Sequence, residues 1–282
     1  MTHVRKRSAV PNIMPATVNV RRSYADCRYG QLHVATAYPS GGGFDERAPI
    51  ICLHQAGGSS RAFAALLPEL GRERSVYALD LPGHGYSDAP NGPLTIADYA
   101  GAVGDFATSL RLRTFDLLGV EAGSLIAAEI AATRGPQVRR AVFVSLPYPT
   151  PAVRQLASRP EAPPTAAQEH SLADECQRFV QARGAHWPPA AIQAAFADHI
   201  RAGVHEQHVR NAMLEYPLAQ RLPLVRLPSL VLCPNDEYRE QTLRAKSCLT
   251  QASLTELSDL SSGAMAIAPL RIAQLTREFL DR

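Results

Sequence analysis

Glu121 stands in the run Leu117-Leu118-Gly119-Val120-Glu121-Ala122-Gly123-Ser124. Gly119 and Gly123, two positions to either side, meet the steric demand of a sharp strand-to-helix elbow, a turn that lifts one side chain above the end of a sheet. The mostly apolar run Phe115 to Leu118 reads as the strand and Ala122 to Ala132 as the helix. The lifted side chain is a carboxylate, which can attack as a nucleophile, move a proton, or hold a fixed charge. Burial under apolar surface would raise its pKa toward neutrality.

The elements that must position Glu121 alternate along the chain. Tyr29 to Tyr38, Ile50 to His54, Ser75 to Leu81, Val138 to Ser145, Leu230 to Cys233 and Leu254 to Leu257 read as strands. Helical spacing of apolar residues marks Arg61 to Leu70, Thr95 (as N-cap) to Leu110, and Ile272 to Leu280. This alternation predicts an α/β fold with a mostly parallel sheet and helices on both faces. The pattern changes between Pro147 and Pro228: six prolines from Pro147 to Pro164 are followed by helical segments at 171–183 and 190–202, with no strand pattern. The expected organisation is a tail over 1–22, a core over 23–146 and 223–282, and a helical cap over 147–222. Such a cap covers the carboxyl ends of the strands, where open α/β sheets bind ligands.

Three segments carry a family resemblance. Cys52-Leu53-His54-Gln55-Ala56-Gly57-Gly58-Ser59-Ser60 looks like a His-Gly oxyanion loop after the third strand. Asp80-Leu81-Pro82-Gly83-His84-Gly85-Tyr86-Ser87-Asp88 is similar to a D-x-x-G-x-G-x-S-D turn, and the elbow at Glu121 is the third. In this order, and with these gaps, the chain from about residue 24 to 282 resembles the α/β-hydrolase superfamily. The resemblance implies an eight-stranded-type sheet, a helical cap and a pocket beneath it. It also implies a nucleophile, an acid and a histidine acting together.

Here that triad is degenerate. Glu121 replaces the nucleophilic serine, Asp236 falls at the acid position, and Ser262 falls where the terminal-loop histidine is expected; no histidine follows His208. Gln55 replaces the glycine of the oxyanion loop, and family geometry makes the backbone N–H groups of Ala56 and Ala122 the oxyanion donors. The candidate catalytic residues are therefore Glu121, Asp236, His54 and Ser262, with Gln55, Ala56 and Ala122 lining the pocket. His170, His186, His205 and His208 of the cap are further candidate imidazoles. Ser59 and Ser60 read as helix caps, and Ser124 as a packing residue in the first turn of the elbow helix.

Three readings of Glu121 are open at this level. Epoxide hydrolases and haloalkane dehalogenases of the superfamily use a carboxylate, Asp, as elbow nucleophile, so Glu121 could attack an apolar substrate. It could instead serve as acid or base in a hydrolase-, lyase- or isomerase-type reaction. Alternatively the chain is a non-catalytic pseudo-hydrolase that binds a small ligand or a protein partner.

Composition narrows the partners. The net charge of +3 comes largely from Arg5, Lys6, Arg7, Arg21 and Arg22, and no basic stripe interleaved with aromatics points to nucleic acid. No apolar run spans a bilayer, and the first sixteen residues lack the apolar segment of a secretory signal. Five cysteines without metal-type spacing predict free thiols in a reducing compartment, the cytoplasm. No phosphate loop, dinucleotide fingerprint or metal array occurs, so no cofactor is expected. The expected partner is a small molecule under the cap, with a homodimer possible.

Overall fold

The computed structural model describes residues 18–39, 47–150, 153–154, 171–184 and 186–282. Most of the expected tail and the stretch 155–170, with His170, lie outside the described residues. Eight strands form one sheet: β1 (Arg21–Cys27), β2 (Gly30–Ala37), β3 (Ile50–Leu53), β4 (Val76–Leu79), β5 (Phe115–Val120), β6 (Val138–Val144), β7 (Ser229–Pro234) and β8 (Ala252–Leu257). Their order across the sheet is β1-β2-β4-β3-β5-β6-β7-β8. β1–β2 and β2–β4 pair antiparallel, and every other pair is parallel. The helices are α1 (Leu66–Leu70), α2 (Ile96–Ser109), α3 (Ala122–Thr133), α4 (Leu172–Arg183), α5 (Pro189–Ala202), α6 (Val204–Glu215), α7 (Leu218–Arg221), α8 (Arg239–Ser247), α9 (Ala264–Ile267) and α10 (Pro269–Leu280).

One expectation is corrected here. Arg21 and Arg22 are not tail: they pair with Thr36 and Ala35 at the sheet edge. β1 has a single neighbour and its first four side chains are exposed, so it carries no apolar alternation to be read.

The sheet separates two apolar layers. α2 and α3 pack on one face, joined by Val209, Ala212 and Met213 of α6. α1, α9 and α10 close the other face. All of β5 is buried, and ten of the residues in α3 are too, as expected of a helix apolar all round. Gly119 and Gly123 let these elements approach. A Cβ on Gly123 would run into the Leu53 carbonyl, and one on Gly119 into the backbone of Gly123.

Between β6 and β7 the elements formed by the described residues are all helices, and side chains fasten them to the sheet layer. Asp198 of α5 accepts from Ser59 Oγ at 2.8 Å and from Arg61 Nε at 3.0 Å. Glu129 of α3 accepts from Tyr216 Oη at 2.6 Å and from both Arg221 donors at 2.7 Å. A two-pronged guanidinium–carboxylate pair fixes orientation as well as distance. Trp187 Nε1 donates to the Ser262 carbonyl at 2.8 Å, and its ring lies where a Cβ on Gly263 would stand.

Candidate active site

The end of β5 presents Glu121 with φ 51° and ψ −110°, left-handed backbone that costs a non-glycine residue about 1–3 kcal/mol. Its N–H donates to Val144 of β6 at 2.9 Å, and its carbonyl accepts from Ser124 at 2.9 Å, so neighbours on both sides hold the turn. Ser124 Oγ donates to the same Val144 carbonyl at 3.1 Å.

The Glu121 side chain is 13% exposed. Tyr238 Oη donates to its Oε1 at 3.1 Å, and Arg210 Nη1 lies 3.7 Å from the same oxygen. Burial pushes its pKa up to about 7, against the lowering pull of Arg210 and Tyr238. The charged groups continue outward along the helical segment. Arg210 donates to Glu206 at 2.8 Å, Glu206 meets His199 Nδ1 at 2.6 Å, and His199 Nε2 lies 3.0 Å from Glu175. Glu206 packs so closely on the oxyanion-type loop that Gly57 has no room for a Cβ.

Asp236 holds the loop that delivers Tyr238. It accepts from the Ser145 hydroxyl and, at 2.9 Å, from the Tyr238 N–H. Burial raises its pKa. Ser145 itself has φ 53°, a second strained residue at a strand end. Two hollows flank this loop. One of about 690 Å³ is lined by Asp236, Glu237, Gln241 and Thr150, and one of about 310 Å³ by His186, Asn235 and Ser261; Glu121 lines neither.

Comparison with known proteins now bears on this arrangement. Residues 48–239 match the alpha/beta hydrolase fold family. The chain belongs to that family. An enol-lactonase from Burkholderia xenovorans LB400 superposes with a TM-score of 0.76 at 20% identity, covering 92% of this chain and 100% of that one. The epoxide hydrolase CorEH superposes with a TM-score of 0.72 at 13% identity, covering 93% and 99%. In sequence, an (E)-2-((N-methylformamido)methylene)succinate hydrolase of Acinetobacter baylyi is 29% identical over 103 residues, 36% of this chain and 39% of that protein. A serine hydrolase-like protein of Danio rerio is 28% identical over 138 residues, 45% of this chain and 40% of that protein. The matches thus span about two fifths of these curated relatives.

Within this α/β-hydrolase fold the residues singled out from sequence part company. Glu121 and Asp236 reach one neighbourhood, joined through Tyr238. His54 does not serve Glu121: its Nδ1 donates to the Gln55 carbonyl at 2.7 Å and its Nε2 accepts from the Leu81 N–H at 3.0 Å. With both ring nitrogens taken by main chain and its pKa lowered by burial, His54 is a neutral structural side chain that ties β3 to the turn after β4. Ser262 offers its carbonyl to Trp187, and among the described residues its hydroxyl bonds neither Glu121 nor Asp236.

The oxyanion-type groups stand differently. Among the described residues the N–H groups of Ala56 and Ala122 have no acceptor, and Glu121 has not turned its carboxylate onto them. Gln55 Oε1 is buried without a partner among the described residues. Ser59 caps the 3-10 turn Ser60–Phe63, accepting from Arg61 N at 3.2 Å, and Ser60 N–H donates to Asp80 at 2.6 Å. The rings of His205 and His208 lie 5.6 Å apart, each with a buried Nδ1 that has no partner among the described residues, and neither bonds Glu121.

Sequence reasoning missed Tyr238, Arg210, Glu206 and Ser145. Tyr238 carried a faint signal, two residues beyond the acid position. Glu206 and Arg210 are an i, i+4 ion pair, a helical signature in a stretch not read as helix. No helix of the described residues is long and apolar enough to cross a membrane, and no group of three or more His, Cys, Asp or Glu among them could hold a metal.

Proposed function

We propose that this α/β-hydrolase-fold chain is a small-molecule enzyme in which Glu121 acts as general acid and base, with the helical segment between β6 and β7 as its cap. One observation carries the reading: a buried carboxyl with a pKa of about 7, touched by the Tyr238 hydroxyl and faced by Arg210. A group titrating near the working pH can both take and return a proton. The Tyr238 O–H and the unpaired N–H groups of Ala56 and Ala122 are donors for negative charge developing on a substrate oxygen. The reaction class is a proton shift or elimination beside a carbonyl, or hydrolysis through a water that Glu121 deprotonates. Attack by Glu121 as a nucleophile has less support, because among the described residues no imidazole bonds it to drive release of the ester. The substrate is a small molecule, neither nucleic acid nor membrane. The free cysteines fit a cytoplasmic setting.

The test is turnover of a panel of enol-lactones, small esters, epoxides and β-hydroxy carbonyl compounds. Any substrate turned over by the wild type is expected to lose at least about a hundredfold in kcat with Glu121→Gln, the usual scale for removing a general acid–base. Full turnover by that variant removes Glu121 from the chemistry. A serine-directed phosphonate probe is expected to leave the protein unlabelled. Stoichiometric labelling at Ser59, Ser60, Ser124 or Ser262 would contradict this.

A second reading, a non-catalytic ligand binder, is favoured by one fact: Glu121 already has protein partners and lines neither described hollow. Saturable binding of panel members without turnover by the wild type would select it.

A further inference from the structure

Arg183, at the end of α4, is a half-buried guanidinium with no carboxylate partner among the described residues. Its Nη1 donates to the Phe179 carbonyl at 3.1 Å, and its Nε is buried with no hydrogen-bond partner among the described residues. The charged plane lies 3.1 Å from the Phe179 ring centroid and 5.4 Å from that of Trp187, which fixes its orientation by cation–π contact. Arg140, over the Phe279 ring, is likewise left with a buried, unpartnered Nε, whereas several other arginines of the described residues hold carboxylates. Arg61 holds Asp198, Arg139 holds Asp116, Arg210 holds Glu206 and Arg221 holds Glu129. An unpaired buried charge is costly, and a guanidinium keeps that charge at any physiological pH.

Its position relates it to Glu121. Arg183 stands within electrostatic reach of Glu206, Arg210, Glu121 and Glu237. Trp187, beside it, is tied to Ser262 in the loop where relatives carry their histidine. Arg183 thus lies beside the contact between the helical segment and the terminal loop.

We propose that Arg183 is the substrate-recognition residue of this site and binds a carboxylate carried by the substrate. The proposal rests on the reading that the space over Glu121 is a ligand site, and adds the substrate class: a small monocarboxylate. The paired N–H groups of a guanidinium match a planar two-oxygen anion. Arg210 is already committed to Glu206, and Glu121 and Glu237 add further carboxylates near Arg183, so the surroundings hold no surplus positive charge and a dianion such as phosphate is disfavoured against a single carboxylate.

Benzoate and propionate, titrated against benzamide and propionamide and against inorganic phosphate, test this by NMR line shifts or calorimetry on the full chain. The acids are expected to bind, and the amides and phosphate to bind at least tenfold more weakly. Arg183→Gln is expected to weaken acid binding tenfold or more while leaving the amides unchanged. Arg183→Lys keeps the charge over Phe179 but loses the fork, and is expected to recover only part of the affinity. Glu121→Gln is expected to keep acid binding, which separates this proposal from the acid–base reading. Equal binding of acids and amides, unchanged acid binding by Arg183→Gln, or no acid binding by the wild type would each overturn it. A lowered melting temperature of Arg183→Gln with unaltered acid binding would make Arg183 a packing staple, and also overturns it.

Discussion

Glu121→Gln is expected to stabilise the fold at pH 8 by about 3 kcal/mol, the value of lifting a carboxyl pKa from 4.5 to about 7. The folded-state pKa is raised, so the favourable contribution of protonated Glu121 is complete below 4.5 and is lost as pH climbs through about 7. Above that, the wild type holds an ionised carboxylate under the helical segment, and glutamine does not. The help that Arg210 and Tyr238 give the charged form is already contained in the net shift. For a domain of this size the gain corresponds to a rise in melting temperature of roughly 5–10 °C. Melting curves of both proteins at pH 4.5, 6 and 8 check it, with coincidence expected at the lowest pH and divergence at the highest. Equal midpoints at pH 8 would mean that the carboxylate is comfortably solvated or paired, and the acid–base reading would lose its physical basis. Taken with the turnover test, the forecast is a more stable and inactive variant, the signature of a group kept for chemistry at the expense of stability.

Asp80→Ala should be the most destabilising polar substitution near the site, at about 3–5 kcal/mol, because it leaves several buried donors without an acceptor at roughly 1–3 kcal/mol each. Asp80 is almost wholly inaccessible. It accepts from Ser60 N–H at 2.6 Å and Tyr86 N–H at 2.8 Å, and meets His33 Nδ1 at 2.9 Å. Burial alone would raise its pKa, but these donors together bring it down to about 2. Alanine strands all of these donors inside the protein and releases the turn that packs against α6 at Gly83 and His205. Chemical denaturation monitored by circular dichroism measures the loss. A cost below about 1 kcal/mol, the level of a surface substitution, would show that the turn is held by its glycines and main-chain bonds instead.

Much of the architecture was legible because it is written in consecutive residues. Fully apolar β5 and α3 admit one burial state, and Thr95 with Asp98 forms the reciprocal cap that starts α2. α6 was not legible. Its buried Val209, Ala212 and Met213 follow helical spacing, but they sit among polar residues in a short helix. At the site, His54 was the imidazole nearest Glu121 in the expected fold and therefore an attractive base. Only the path of the chain around it reveals that the Gln55 carbonyl and the Leu81 N–H consume both its nitrogens.

By itself, the sequence determined the elbow and its unusual carboxylate, since steric demands at Gly119 and Gly123 act between neighbours and depend on residue type alone. The tertiary structure decided what that carboxylate faces. Tyr238 lies 117 residues beyond Glu121, and it arrives because β6 and β7 follow β5 in the sheet and Asp236 holds the loop after β7. Arg210 arrives from the other side, on a helix whose apolar edge packs against the layer of α3. Pairings of this kind depend on strand order and on the docking of a helical segment, which are properties of the whole packed core rather than of any stretch of residues.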